Sequence, residues 1–178
     1  MAGSVTFINL EGTRPILIEI QALVDKSMLP NPKRLTVGTD AQRLTMLLAI
    51  LHRHVTLSTY DQDVFLNAVG GIKINETASD LAVLIAIVSS MTNQAVSSKT
   101  AIFGEVGLGG EIRPVSRGQE RIKEASKLGF KRIIVPLKNK ASDIPDVEII
   151  GVDNLRDAVK VVFGSNRVKN DEQIYPDE

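Results

Sequence analysis

Eight apolar residues in succession, Leu81-Ala82-Val83-Leu84-Ile85-Ala86-Ile87-Val88, follow directly on the cap-like Thr77-Ala78-Ser79-Asp80. A helix running from there to about Met91 has no polar face, and such a helix is stable only where other elements surround it. The run is far short of the ~20 residues that span a bilayer. The chain must therefore supply the surround itself, and 178 residues, 43% of them apolar, are enough to do so as one domain.

The flanking pattern provides the layers. Val5 to Leu10 and Arg14 to Ile20 are rich in β-branched residues and read as a hairpin joined through Glu11-Gly12-Thr13. Lys26 to Lys33, with two prolines, is a loop, and Arg34 to Val37 is a short strand. Thr39-Asp40-Ala41-Gln42 matches a capping box, and Leu44, Leu47, Leu48 and Leu51 at i, i+3, i+4, i+7 continue it as an amphipathic helix to about Arg53. Asp63 to Val69 alternates as a half-buried strand, with Val64, Leu66 and Ala68 inward. Thr100 to Val106 and Glu111 to Val115 are strands around the hairpin signal Gly107-Leu108-Gly109-Gly110. Ser116-Arg117-Gly118-Gln119 is a further capping box, opening a helix to about Leu128. Arg132 to Pro136 and Val147 to Ile150 are strands, and Asp153 caps a last helix carrying Leu155, Ala158, Val159 and Val162. Ser165 to Glu178 is polar and without pattern, as expected of a disordered tail.

Several chemistries are excluded outright. With no cysteine, the chain has no thiol nucleophile, disulfide or zinc ribbon. Its two histidines, His52 and His54, lie two apart in a helical pattern and cannot share a metal. The glycines of 104–110 lead into Glu111, and no GxxxxGK[S/T] occurs anywhere, so there is no P-loop. No charged-then-apolar leader opens the sequence, which predicts a cytoplasmic protein without membrane contact.

Charge is balanced overall, 21 basic against 21 acidic residues, but residues 113–140 hold nine of the former and two of the latter. An excess of that kind is an anion-facing surface or a solvated helix face. Helical spacing puts Arg117 and Arg121 on one side with Glu124, and Lys123 and Lys127 on another.

Asp63 to Gly71, Ala78 to Ala82, Gly104 to Leu108, Glu111 to Arg117 and Lys127 to Arg132 together closely resemble the C-terminal domain of the bacterial RadA (Sms) family. Glu11 to Pro15 and Gln21 to Val24 are similar to the segment with which that domain begins, and the resemblance covers roughly residues 3 to 163. It implies an α+β Lon-protease-like domain of the ribosomal-protein/GHMP-kinase-like superfamily, a mixed sheet packed with about four helices. The expected organisation is a domain over 1–163, whose 1–24 hairpin would join an ATPase core missing from this sequence, and a tail over 164–178.

Family members combine a zinc finger, a RecA-like ATPase and this domain, and act on DNA in recombination and repair as hexameric rings. ATP, magnesium and zinc are thus implied for a full-length parent, and no cofactor for this sequence. DNA and further copies of the chain are the implied partners.

Lon-type proteases use a Ser-Lys dyad. Laid on this chain, the nucleophile's place falls on Ser79 and the lysine's on Arg121, whose guanidinium stays protonated and cannot serve as a base. Lys123 is turned to the other side of the helix, and Asp80 would oppose an oxyanion. The expectation is a vestigial site, with Ser79 or Thr77 capping the central helix and Arg117, Lys123, Lys127, Lys131 and Arg132 touching DNA phosphates. The rivals are an active Ser-Lys-type peptidase and a small-molecule or phosphate-binding module.

Overall fold

Ile18, Ile20, Ala22 and Val24 alternate with outward-facing residues along a strand longer than its β-branched run suggests, and this strand anchors the sheet. It is β2 (Arg14–Lys26), paired antiparallel with β1 (Ser4–Glu11) on one side and with β4 (Gln62–Ala68) on the other. β3 (Arg34–Val37), β5 (Thr100–Ile102), β8 (Arg132–Pro136) and β9 (Glu148–Val152) complete a mixed seven-stranded sheet in the order β3-β4-β2-β1-β5-β8-β9. β6 (Glu105–Val106) and β7 (Ile112–Arg113) form a separate small hairpin. The computed structural model describes residues 1–164. The α+β class and the mixed sheet with four helices are as expected, and the tail expected over 164–178 lies, beyond Gly164, outside the described residues.

The helices are α1 (Ala41–Val55), α2 (Asp80–Thr92), α3 (Gly118–Lys127) and α4 (Leu155–Phe163). Every residue from Leu81 to Val88 is buried, as the absence of a polar face demands. α2 lies on β1 and β2, with α1 and α4 against its flanks. Phe7 and Ile8 are neighbours on β1 and so point to opposite faces, yet both are fully buried. α2 covers one side, and α3, which also packs on β1 and β2, covers the other.

Local details differ from the sequence reading in instructive ways. Asp40, not Thr39, caps α1, its carboxylate accepting from the Gln42 N–H. Asn154, not Asp153, caps α4 by accepting from the Asp157 N–H. At α3 the capping box fails: the cap position is Arg117, in a left-handed conformation with φ 55°, and its side chain makes no cap hydrogen bond. The strand expected over Thr100 to Val106 is cut in two, because after Ile102 the chain leaves the main sheet and the Phe103 and Gly104 amides bond to Ile134 and Ala78 carbonyls. Glu111 to Val115 contracts to Ile112–Arg113, whereas the last strand passes through Gly151 to Val152.

Candidate functional site

The turn that leads into α2, Glu76-Thr77-Ala78-Ser79-Asp80, carries the position matched to the Lon nucleophile, and it is fastened from both sides. A short 3-10 turn over Thr77–Ser79 precedes the helix proper. Neither Thr77 nor Ser79 caps α2: the Ser79 hydroxyl donates to the Glu76 carbonyl at 3.0 Å. Gly104 pairs with the turn through two backbone bonds, accepting from Leu81 N–H at 3.0 Å and donating to the Ala78 carbonyl at 2.8 Å. The amides an oxyanion would need are also committed. Ser79 N–H is directed at the Glu76 carbonyl, Asp80 N–H at that of Thr77 and Leu81 N–H at that of Gly104.

Arg121 is wholly buried and is the largest such side chain among the described residues. Its Nη1 and Nη2 donate to the two Glu76 carboxylate oxygens at 2.6 and 2.8 Å, Nη1 also to the Ile8 carbonyl at 2.8 Å, and Nε to the Ser116 carbonyl at 3.0 Å. The guanidinium carbon stands 5.7 Å from the Phe103 ring centre. Glu76 in turn accepts from Leu10 N–H at 2.9 Å. One fork thus joins α3, β1 and the turn before Ser79, using the planar donor geometry that lysine lacks. Arg121 therefore belongs neither to a solvated face nor to an anion-facing surface, the two readings open for the basic stretch, because α3 points this side chain into the sheet.

Asp80 corrects a second expectation. It does not aim charge at the Ser79 hydroxyl; it is buried, takes both Arg43 nitrogens Nε and Nη2 on its carboxylate, and accepts from Val106 N–H at 3.0 Å. Arg43 also donates to the Val106 carbonyl at 3.2 Å, so α1, α2 and the β6–β7 hairpin meet at one ion pair. Burial pushes the Asp80 carboxyl above the usual carboxylate range, against the opposing pull of Arg43 and the Val106 amide. A carboxyl whose pKa is raised on folding binds more protons in the native state, so its contribution to stability falls as pH rises from the unfolded value, about 4, through the folded one. We expect the stability difference between the wild type and Asp80→Asn to decline over that interval; urea midpoints at a series of pH values measure it, and a difference that grows with pH contradicts the assignment.

The basic stretch is less uniform than its composition. Arg117, Lys123, Lys127 and Lys131 are exposed, and Arg117 lies 4.0 Å from Glu120. Arg132 is half-buried: its Nη2 donates to the Val161 carbonyl at 2.9 Å and its Nε is 3.8 Å from Glu148. The Lys99 carbonyl accepts from the amides of Lys131 and Arg132, which places exposed Lys99, outside the 113–140 stretch, at the same end of the sheet. Sequence reasoning missed Glu76, Arg43 and Lys99. The signal for Glu76 was the arginine itself, since a guanidinium beside inward-facing Ile122 and Ala125 needs a carboxylate.

Residues 46–139, just over half of the chain, match the family model described as subunit ChlI of Mg-chelatase. A protein of Pseudomonas aeruginosa named DNA repair protein RadA is 56% identical over 162 residues, 90% of this chain and 36% of the relative. The Escherichia coli protein of that name is 54% identical over 161 residues, 90% of this chain and 35% of the relative. The Bacillus subtilis one is 44% identical over 165 residues, 92% and 36%. The chain thus spans about a third of the length of these relatives.

Proposed function

Since this chain belongs to the family described as subunit ChlI of Mg-chelatase, and its homologues along nine-tenths of its length are named DNA repair protein RadA, we propose that it is a catalytically silent, Lon-protease-like domain. It would serve a DNA repair and recombination protein by scaffolding a hexameric ring and holding DNA by its backbone. One observation carries the silent part: Arg121, in the slot of the Lon lysine, is spent on Glu76 rather than free to take a proton. The committed Ser79 hydroxyl and turn amides point the same way. The cysteines of a zinc finger and the GxxxxGK[S/T] of a P-loop do not occur in this sequence, so on this reading zinc and a nucleotide with its magnesium would be held by parts of a longer protein that this chain does not span.

The DNA part rests on the exposed Lys123, Lys127 and Lys131, with Lys99 beside Lys131 and Arg117 exposed at the other end of α3, and on the relatives' name. Arg132, tied to Val161 and Glu148, contributes little to it. Lys and Arg within reach of phosphates suffice for binding without sequence preference. Duplex DNA titrated with this chain is expected to bind with Kd ~10⁻⁴ to 10⁻⁶ M at physiological salt, and more tightly as salt is lowered, whatever its sequence. Charge reversal at Lys123, Lys127 and Lys131 should weaken it, and each lost contact should reduce the slope of log K against log salt by about 0.9. Unchanged affinity and slope would leave these lysines as a solvated face and the domain with assembly alone. Casein hydrolysis that disappears in Ser79→Ala would favour the peptidase reading instead.

A further inference from the structure

We propose that the cleft between the end of the β1–β2 hairpin and the segment leading to α2 binds a small zwitterion carrying a primary amide, a free α-amino acid of the glutamine or asparagine type. The cleft adjoins the turn before Ser79, but neither Ser79 nor Arg121 lines it. The inference therefore stands apart from the peptidase slot and from the DNA and assembly parts of the function proposed above.

Asn9 is the residue that points to a ligand. It follows Phe7 by two positions on β1 and so turns to the same side of the sheet, where register sets it opposite Ile16 as Phe7 is set opposite Ile18. Asn9 is only 4% exposed, and its Oδ1 is buried without a hydrogen-bond partner among the described residues. Buried polar side chains are nearly always partnered, so an amide left over at that depth is one that a bound molecule completes. Beside it opens a cleft of about 350 Å³, which Asn9 lines together with Leu10 and Glu11 on the hairpin side and Lys73, Asn75 and Glu76 on the other. Its volume lies within the ~300–1,000 Å³ of small-molecule sites.

The walls are held in place by the protein itself. Leu10 N–H donates to Glu76 Oε1 at 2.9 Å, and Ile74 N–H, between Lys73 and Asn75, donates to the Gly38 carbonyl at 2.8 Å. Glu76 is also neutralised by the Arg121 fork. One charge of each sign is left over: exposed Glu11 and exposed Lys73 enter no ion pair among the described residues. The complement of this lining is a carboxylate for Lys73, an ammonium for Glu11, and an amide whose N–H donates to Asn9 Oδ1 and whose carbonyl accepts from Asn9 Nδ2. An α-amino acid with a side-chain carboxamide carries these three groups and no net charge. A phosphate ester is disfavoured, because Glu11 opposes its charge and a single exposed lysine must offset it.

The isotope-labelled chain titrated with L-glutamine and with L-asparagine, and followed by NMR of its backbone and side-chain amides, tests the proposal. The expected result is saturable one-to-one binding that shifts the Asn9 side-chain amide and the Lys73 and Asn75 backbone amides. Asn9→Leu should abolish binding while raising the urea midpoint, because it removes an amide that the free protein leaves without a partner. Lys73→Ala, a change at an exposed position, should weaken binding by about tenfold with the midpoint unchanged, and it decides the matter by itself if Asn9→Leu does not fold. L-Glutamate binding as tightly as L-glutamine would show that the amide is not read and overturn the proposal. N-acetyl-L-glutamine methylamide binding as tightly would show that neither charge is used, make a polypeptide segment the occupant, and overturn it too. No saturable shift with either amino acid would mean that water completes Asn9 and that the cleft holds no such ligand.

Discussion

Leu84→Asp should leave no folded protein. Leu84 is fully buried in a helix enclosed by sheet, α1 and α4, and none of its neighbours from Leu81 to Val88 offers a polar partner or a path to water. An ionised carboxylate there forfeits its hydration without compensation, and a neutral one still leaves unmatched polar atoms; either cost, added to the lost leucine packing, is comparable to the whole stability of a domain, about 5–15 kcal/mol. Leu84→Ala removes packing alone and should cost about 2–5 kcal/mol. Circular dichroism of the aspartate variant and urea midpoints of the alanine variant test the pair. A soluble Leu84→Asp protein with unchanged thermal stability would show that α2 is not the centre of the core.

Glu76→Ala is expected to be nearly as damaging, although Glu76 is itself a half-buried loop residue. Its removal leaves the Arg121 guanidinium buried with two carbonyls for company, and breaking one side of a buried pair costs about 3–5 kcal/mol. Arg121→Met removes the charge instead and should cost less than Glu76→Ala, with Glu76 free to turn to water. The double variant Glu76→Ala/Arg121→Met should then be more stable than Glu76→Ala alone, the coupling expected of residues in direct contact. Arg121→Lys keeps a charge but loses the fork, so it should be destabilised and should gain no peptidase activity, because the Ser79 hydroxyl and the turn amides remain committed. Additive effects of the two single substitutions would show that the pair is incidental.

Glu76 and Arg121 also mark the limit of what spacing along the chain reveals about the candidate site. Aligning the chain to the Lon pattern located Ser79 and Arg121 and identified arginine as unfit to act as a base. It did not reveal that Arg121 is the keystone of a three-element junction, since a helical wheel of α3 groups it with Arg117 and Glu124 and no local rule distinguishes the buried from the exposed side of a highly charged helix. Asp80 misled for a related reason: adjacency in sequence suggested that its charge faces the Ser79 hydroxyl, whereas consecutive residues entering a helix diverge by about 100° and Asp80 turns to Arg43 and Val106. The basic stretch, read as one surface, resolves into exposed lysines, a buried Arg121 and a tethered Arg132.

What the sequence determined by itself was whatever depends on periodicity and composition: a central all-apolar helix, strands whose inward residues alternate, the glycine hairpin at 107–110, and the absence of cysteine and of GxxxxGK[S/T]. These are local properties, because burial of a side chain on a regular element follows from its phase within that element. The tertiary structure alone decided the cap at each helix start, the division of the strand at Phe103, the carboxylates that Arg121 and Arg43 reach and the Asn9 amide left without a partner. Each of these depends on which group, distant along the chain, arrives within about 3 Å or fails to arrive. A buried charge or an unpartnered amide is defined by such partners, and spacing along one strand or helix does not encode them.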